Sequence, residues 1–139
     1  MLIGEYSYVI DDKGRLNFPA KFREEMGDTF IVTRWLDDCL IAFPQAEWQR
    51  VSGLLSEKSM VKSRDIQRFL YSKAMEAQPD KQGRILLTAN LREHAALEKE
   101  VTIIGVGSHA EIWNTAAWQQ MNARMESASI ANAMETLDF

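Results

Sequence analysis

The chain has 139 residues, of which 46% are hydrophobic and 26% are charged, and its formal net charge is −4 at pH 7. This length suits one compact domain, or two small halves that share a core, and the apolar fraction argues against wholesale disorder. A single cysteine excludes an internal disulfide, the N-terminus lacks a basic signal region, and no apolar run approaches the roughly 20 residues that cross a bilayer, so we expect a cytoplasmic protein with no membrane partner.

The chain begins with signals for a strand, a tight turn and a short helix. Residues 3–10 alternate and are rich in Tyr, Val and Ile, which predicts a strand. Residues 11–14, Asp-Asp-Lys-Gly, predict a hairpin turn, because Asp favours the first turn position and Gly supplies a positive φ. A return strand over 15–18 and a short helix over about 19–26 follow, since proline suits the first turn of a helix.

The rest of the first half predicts a second strand pair and two helices. These elements are strands at 30–33 and 39–43 around a turn at 36–38, a helix over about 45–55, a polar link at 56–63, and a helix around 64–71. We expect three tryptophans in the core, because their spacing matches buried helix and strand positions: Trp48 in this half, and Trp113 and Trp118 in the second half.

The second half of the chain repeats the first. The segment DKQGRILLTANLRE, starting at Asp80, follows the pattern of DDKGRLNFPAKFRE, which starts at Asp11, 69 positions earlier. The Asp, Gly and Arg of a D-x-x-x-R turn fall at the same places in both segments, and so do the apolar residues that follow. Self-similarity of this kind predicts two copies of one structural unit. We therefore expect strands at 75–78, 84–87, 101–104 and 111–113, a helix at 89–95, and a closing helix after Asn114.

Charge is unevenly distributed along the chain. Between Asp11 and Arg23 four basic residues stand against two acidic ones, whereas the stretch after Arg124 holds three acidic residues and no basic one. An acidic protein is a poor candidate for DNA binding, because backbone affinity comes from clustered Lys and Arg. Charges separated by more than about 8 Å are, however, largely screened from one another at physiological salt. A local basic face can therefore bind DNA on a chain whose net charge is negative.

Two D-x-x-x-R turns, each followed by a short helix, resemble the MraZ family of bacterial regulators, which consist of two fused SpoVT/AbrB-type domains. The likeness covers nearly the whole chain, and it is carried by IDDKGRLNFPAKFRE, CLIAFPQAEW, DKQGRILLTANLRE, IIGVGSHAEIW and the closing helix. It implies an α+β fold in which hairpins of two tandem repeats interlock within the chain, as swapped hairpins, into a β-barrel flanked by helices. The expected divisions are a first repeat over 1–55, a linker and helix over 56–73, and a second repeat over 74–139.

The resemblance also implies a function. Family members assemble into rings and bind short direct repeats in promoter DNA upstream of a division and cell-wall gene cluster, usually as repressors. We therefore expect a homo-oligomeric, nucleoid-associated regulator that binds double-stranded DNA and has no cofactor and no small-molecule substrate. Two departures from the family pattern are a short C-terminal extension and Gln82, which occupies the place of Lys13 in the first turn. The second turn should therefore bind phosphate less strongly.

The resemblance assigns DNA contact to Arg15 and Arg84. An arginine fork can pair with guanine O6 and N7, and an aspartate four residues earlier can hold the guanidinium in position. Asp11 and Asp80 take that orienting role. The expected phosphate contacts are the basic residues near the two turns, Lys13, Lys21, Arg23 and Arg92.

Simpler interpretations of the same residues stay open. The Asp–Arg pair of each turn can serve only to pin the hairpin. Arg23 and Arg92 can lie on solvated helix faces or pair with the neighbouring Glu24 and Glu93.

Other classes of function are also open. No C-x-x-C, H-E-x-x-H, G-x-S-x-G or P-loop motif occurs, so we expect no enzyme and assign no catalytic or metal-binding residue. An antitoxin-like AbrB-fold regulator is the nearest DNA-binding alternative, although such proteins usually carry one copy of the motif and a toxin-binding tail. A third alternative is an oligomeric interaction module that binds no DNA.

Overall fold

The computed structural model describes residues 1–138, and Phe139, the last residue of the predicted second repeat, lies outside them. In chain order the elements are β1 (Glu5–Val9), β2 (Arg15–Asn17), α1 (Ala20–Met26), β3 (Phe30–Arg34), a short 3-10 turn (Leu36–Asp38), β4 (Leu40–Pro44), α2 (Gln45–Ser56), α3 (Met60–Tyr71), β5 (Met75–Ala77), β6 (Arg84–Leu86), α4 (Ala89–His94), β7 (Glu100–Gly105), β8 (Ala110–Asn114), α5 (Thr115–Arg124) and α6 (Ser127–Thr136). The predicted α+β class is confirmed.

The helices differ from the prediction at two places. α3 begins at Met60, inside the polar link expected at 56–63, because that link contains neither Gly nor Pro to stop a helix. α6 is a second helix beyond the closing helix that the sequence predicted after Asn114, and its three alanines are strong helix formers. None of the side chains of α6 is buried.

One antiparallel sheet joins the two halves of the chain. Its strand order is β1-β7-β8-β4-β3-β5. Each half supplies a hairpin, β3–β4 or β7–β8, and the two hairpins meet where β4 pairs with β8. The first strand of each half then pairs with the hairpin of the other half, β1 with β7 and β5 with β3. Because these strands are exchanged, the two halves form one sheet together.

The expected closed barrel is not confirmed, because the sheet is open and ends at β1 and β5. β2 and β6 pair only with each other, in a separate two-stranded ladder that we call the ribbon. The predicted hairpin pairing of residues 3–10 with 15–18 is also wrong. β1 continues along β7, with Ile10 N–H donating to the carbonyl of Lys99, whereas β2 crosses to β6. The strands on the two sides of each turn therefore have different partners.

The core lies beneath the ribbon and is shared by both halves. Leu16 of β2 and Ile85 of β6 point inward and are 0% and 1% exposed. Around them lie buried side chains of α1, α4, the sheet and the short segments that lead from the ribbon into the two helices: Phe18, Phe22, Phe30, Leu87, Leu91 and Ile103. The buried apolar side chains come from both repeats, and their burial fixes the inner face of the ribbon to the rest of the fold.

The tryptophans are less buried than expected. Trp113 is buried, but Trp48 and Trp118 are only half-buried. Trp118 stacks on Trp113 with a centroid distance of 5.5 Å, and its Nε1 donates to Glu5 Oε1 over 2.9 Å. An indole N–H needs a polar partner, so this side chain stays at the edge of the core.

Among residues 1–138, no helix combines the length and the apolar composition needed to cross a bilayer.

Candidate nucleic-acid interface

The first D-x-x-x-R turn is organised by a single carboxylate. Oδ1 of Asp11 accepts hydrogen bonds from the backbone N–H groups of Lys13, over 3.0 Å, and Arg15, over 2.8 Å. Oδ2 accepts one from Arg15 Nε, over 2.6 Å. These bonds, that of the Arg15 backbone N–H above all, lower the pKa of Asp11. The charged carboxylate therefore holds the turn and the arginine side chain at once.

The second turn repeats this arrangement. Oδ1 of Asp80 accepts from the backbone N–H groups of Gln82, over 2.9 Å, and Arg84, over 3.0 Å, while Oδ2 accepts from Arg84 Nε over 3.1 Å. The Arg84 backbone N–H is the main reason that the pKa of Asp80 is lowered. The two repeats thus present the same atoms in the same bonding pattern.

Both guanidinium groups keep their terminal nitrogens free for a ligand. In each turn the aspartate binds Nε, and within residues 1–138 neither Arg15 nor Arg84 uses Nη1 or Nη2 in a hydrogen bond. The side chains of Arg15 and Arg84 are 39% and 29% exposed. The pinning role and a ligand-binding role are therefore compatible, because they use different nitrogens of the same group.

The ribbon brings the two arginines to one outward face. In its register Leu16 lies opposite Ile85, and these central residues are buried. Side chains alternate between faces along a strand, so the residues on either side of them point outward. Arg15 and Arg84 stand at diagonal positions on this outer face, a relation that separates two residues by about 7–8 Å.

The arginines expected to bind phosphate have a structural role across the repeats. Arg23 of α1 lies against the second turn, where a Cβ on Gly83 would come within 2.8 Å of Arg23 Cζ. Arg92 of α4 lies against the first turn, where a Cβ on Gly14 would come within 2.8 Å of Arg92 Nε. Each arginine thus packs on the turn of the other repeat. The sequence did not predict this crossed packing, because it depends on how the repeats interlock.

The surroundings of these two arginines are not equal. Arg23 Nε donates to the carbonyl of Phe18 over 3.1 Å, whereas Arg92 Nε is buried and finds no acceptor within residues 1–138. In the same part of the chain neither residue forms an ion pair with its neighbour, Glu24 or Glu93, so that alternative is not seen. Both arginines are half-buried.

The two predicted lysines are exposed, Lys13 at the tip of the first turn and Lys21 on α1. Asn17 and Leu86, which were not predicted, share the outer face of the ribbon with Arg15 and Arg84. The signal that could have identified them is their spacing, two residues after each arginine on a strand.

Chemistry of other kinds has little support in the part of the chain that the structure describes. Residues 1–138 contain no group of three His, Cys, Asp or Glu side chains that could hold a metal ion. Cys39 is buried, its Sγ donates to the carbonyl of Leu36 over 3.3 Å, and burial raises the pKa of its thiol. A thiol in this setting is a poor nucleophile.

Comparison with known proteins shows the same duplication. A family model described as "MraZ protein, putative antitoxin-like" matches the chain twice, at residues 1–69 and 70–138. The two matches together cover nearly the whole chain, and each contains one D-x-x-x-R turn.

Full-length relatives are similar over the same extent. A protein of Limosilactobacillus fermentum is 51% identical over 143 residues, with all of both chains covered. Proteins of Heliobacterium modesticaldum and Alkaliphilus oremlandii are 45% and 46% identical over 141 residues and cover at least 99% of each chain. All three carry the name "Transcriptional regulator MraZ".

Proposed function

This chain belongs to the MraZ family of transcriptional regulators, and we propose that it binds specific promoter DNA through the outer face of the ribbon. The observation that carries the proposal is the state of Arg15 and Arg84. Both are fixed through Nε and point to one face with their terminal nitrogens free. A side chain held in this way loses little conformational entropy when it binds.

The shape of the ribbon suits a DNA groove. The major groove is about 12 Å wide and admits a two-stranded β-ribbon, as in other β-type DNA-binding proteins. A guanidinium that offers two parallel N–H groups matches O6 and N7 of guanine. In this proposal Arg15 and Arg84 contact bases, and Asp11 and Asp80 orient them.

Phosphate contacts would fix the position of the ribbon on the duplex. Lys13 and Lys21 are exposed beside the first turn, and the half-buried Arg23 and Arg92 lie next to the two turns. About four such contacts give only weak binding at cellular salt. A single copy of an acidic chain therefore needs further binding energy to occupy a promoter.

We propose that self-association supplies this energy. An apolar groove of about 480 Å³ lies between α3 and the turn that follows β3, and it is lined mainly by Trp35, Leu36, Ile66 and Phe69. Leu36 and Ile66 are 61% and 49% exposed, and patches of this kind mark interaction surfaces. A homo-oligomer, in our proposal a ring, that binds several direct repeats at once gains roughly 10²–10⁴ in avidity.

The biological role follows from this mode of binding. An oligomer seated on promoter repeats would block access to the promoter, so we propose a repressor, and the resemblance to the MraZ family indicates a division and cell-wall gene cluster as its target. It would work in the cytoplasm, associated with the nucleoid. The chain would act as two repeats, 1–55 and 74–139, joined by 56–73.

The decisive test is the double variant Arg15→Ala/Arg84→Ala. Each bidentate guanine contact contributes about 1–3 kcal/mol, so the double variant should lose specific binding to DNA from upstream of its own operon. Fluorescence anisotropy at several salt concentrations measures this loss, and circular dichroism checks that the fold is intact. Arg50→Ala/Arg124→Ala, at exposed positions of α2 and α5, is a matched control. Wild-type affinity in the ribbon variant would contradict the proposal.

Self-association is tested separately by light scattering. We expect wild-type protein at micromolar concentration to have a mass several times 15.9 kDa, and the ribbon double variant to keep that mass. A strictly monomeric wild type would remove the avidity argument without touching the role of the ribbon.

A further inference from the structure

The outer face of the ribbon carries four side chains that form two diagonals. Arg15 lies opposite Leu86, and Asn17 lies opposite Arg84. One diagonal therefore holds the two arginines, and the other holds Asn17 and Leu86. Asn17 is exposed, and Leu86 is 59% exposed. All four point away from the buried pair at the centre of the ribbon.

The two arginines alone do not determine the direction in which a duplex lies on the ribbon. The two strands are antiparallel, and Arg15 and Arg84 occupy equivalent places in the two repeats. A half-turn about the axis through the centre of the ribbon exchanges them, together with the carboxylates that hold them. A duplex that contacts only these arginines can therefore bind in two opposite directions with nearly equal energy.

The second diagonal breaks this symmetry. Asn17 and Leu86 exchange places under the same half-turn, yet their chemistry differs. An asparagine amide pairs with N6 and N7 of adenine, whereas an exposed aliphatic side chain can contact only an apolar group, which in the major groove is the thymine methyl. Neither side chain forms a hydrogen bond or salt bridge within residues 1–138 that would explain its place on this face.

We propose that Asn17 and Leu86 determine the direction in which the ribbon lies on DNA, Asn17 by pairing with adenine and Leu86 by contacting a thymine methyl. This inference rests on the proposed function. It explains how one copy of the protein can distinguish a DNA site from the same site in the opposite orientation. A protein that binds direct repeats needs this ability, because otherwise direct and inverted repeats are equivalent to each of its copies.

The turn tips also differ, with Asp12 and Lys13 in the first turn against Lys81 and Gln82 in the second, so each tip offers one lysine. A lysine there is expected to meet phosphate, which is present at every position of the duplex and carries no sequence information. It can strengthen binding at one end, but it does not identify a base. The second diagonal is therefore the source of direction that depends on sequence.

Directional cleavage tests the inference. An iron chelate attached to an Asp12→Cys variant, at the exposed tip of the first turn, should cut a duplex with one binding element on a single side of that element. Cys39 is buried and will not take up the reagent. A chelate at Lys81→Cys, the matching exposed site on the second turn, should cut on the opposite side.

Exchanging the two side chains should reverse the result. In the Asp12→Cys background, the variant Asn17→Leu/Leu86→Asn should move the cut to the other side, and Leu86→Asn alone should give cuts on both sides. Asn17→Ala should reduce the preference for adenine at one position by about 5- to 100-fold in competition binding. The exchange Leu54→Asn/Asn122→Leu, at exposed helical positions far from the ribbon, should change none of these results.

The outcomes separate this inference from the proposed function. If the Asp12→Cys protein with Asn17 and Leu86 in place already cuts equally on both sides, or if the exchange leaves the cut where it was, Asn17 and Leu86 do not set direction, although the ribbon still binds DNA. If the arginine double variant binds as well as wild type, the ribbon is not the DNA site, and both proposals are wrong.

Discussion

The two D-x-x-x-R turns share one pattern of hydrogen bonds but pack differently against the rest of the protein. Asp11 and Asp80 accept the same three hydrogen bonds, and both leave the terminal guanidinium nitrogens of their arginine free. Behind the turns the packing differs. A Cβ on Gly14 would lie 2.9 Å from the backbone oxygen of Leu87, whereas around Gly83 the nearest atoms all belong to the Arg23 side chain. The hydrogen-bonded geometry of the turn is thus duplicated, while the contacts that support it are not.

The largest expected difference comes from replacing the turn glycines. Gly14 and Gly83 have φ angles of 91° and 79°, which strain any other residue by about 1–3 kcal/mol. Gly14→Ala adds a clash with backbone, which cannot move easily, so we expect a loss of about 2–4 kcal/mol in the free energy of unfolding. Gly83→Ala meets only a flexible side chain and should cost about 1–2 kcal/mol. Urea denaturation measures both, and equal losses would show that the backbone contact at Gly14 is unimportant.

The crossed arginines should respond in opposite ways to replacement by methionine. Arg23→Met removes the hydrogen bond to Phe18, so we expect a loss of about 1 kcal/mol in the free energy of unfolding. Arg92→Met removes a buried Nε that has no acceptor in the described chain, so its stability should stay equal or rise. The same thermal or urea measurement compares them. A larger loss for Arg92→Met than for Arg23→Met would mean that Nε of Arg92 has a partner in solution.

The turn tips should differ in their contribution to salt dependence. Replacing Lys13 with Gln removes one phosphate contact from the first turn, and the slope of log affinity against log salt should become less steep by about 1. Gln82→Lys should make the slope steeper by a similar amount. Affinity at fixed salt should change by only a few fold, and the base preferences should stay the same. A change in base preference after either substitution would show that these side chains contact bases.

The smallest expected effect is that of pH on the two turns. The lowered pKa of both aspartates means that their stabilising effect is fully present above the usual aspartate range and is lost as the pH falls through the folded-state pKa. Both carboxylates should therefore stay ionised in mildly acidic buffer. NMR titration of the Asp11 and Asp80 carboxyl carbons, together with the Nε–H signals of Arg15 and Arg84, tests this. An ordinary pKa at either turn would mean that its hydrogen bonds are not maintained in solution.

Local features of the chain were predictable from the sequence. Alternation, turn residues and the internal repeat gave the strands, most helices and the two turns in the correct order, because these depend on nearest neighbours along the chain. The exceptions also have local causes. α3 begins at Met60, inside a segment that was expected to be a link because it is polar. Polarity alone does not stop a helix, and this segment contains no helix-breaking residue.

The sequence by itself determined that the protein contains two copies of one turn, each with an aspartate placed to hold an arginine. Tertiary structure decided which strands pair. It separated the ribbon from an open sheet, set Arg15 and Arg84 on one diagonal and Asn17 and Leu86 on the other, and packed Arg23 and Arg92 across the repeats. The physical reason is that a strand's own residues fix which faces its side chains take, but its partner and register depend on burying apolar surface from distant parts of the chain.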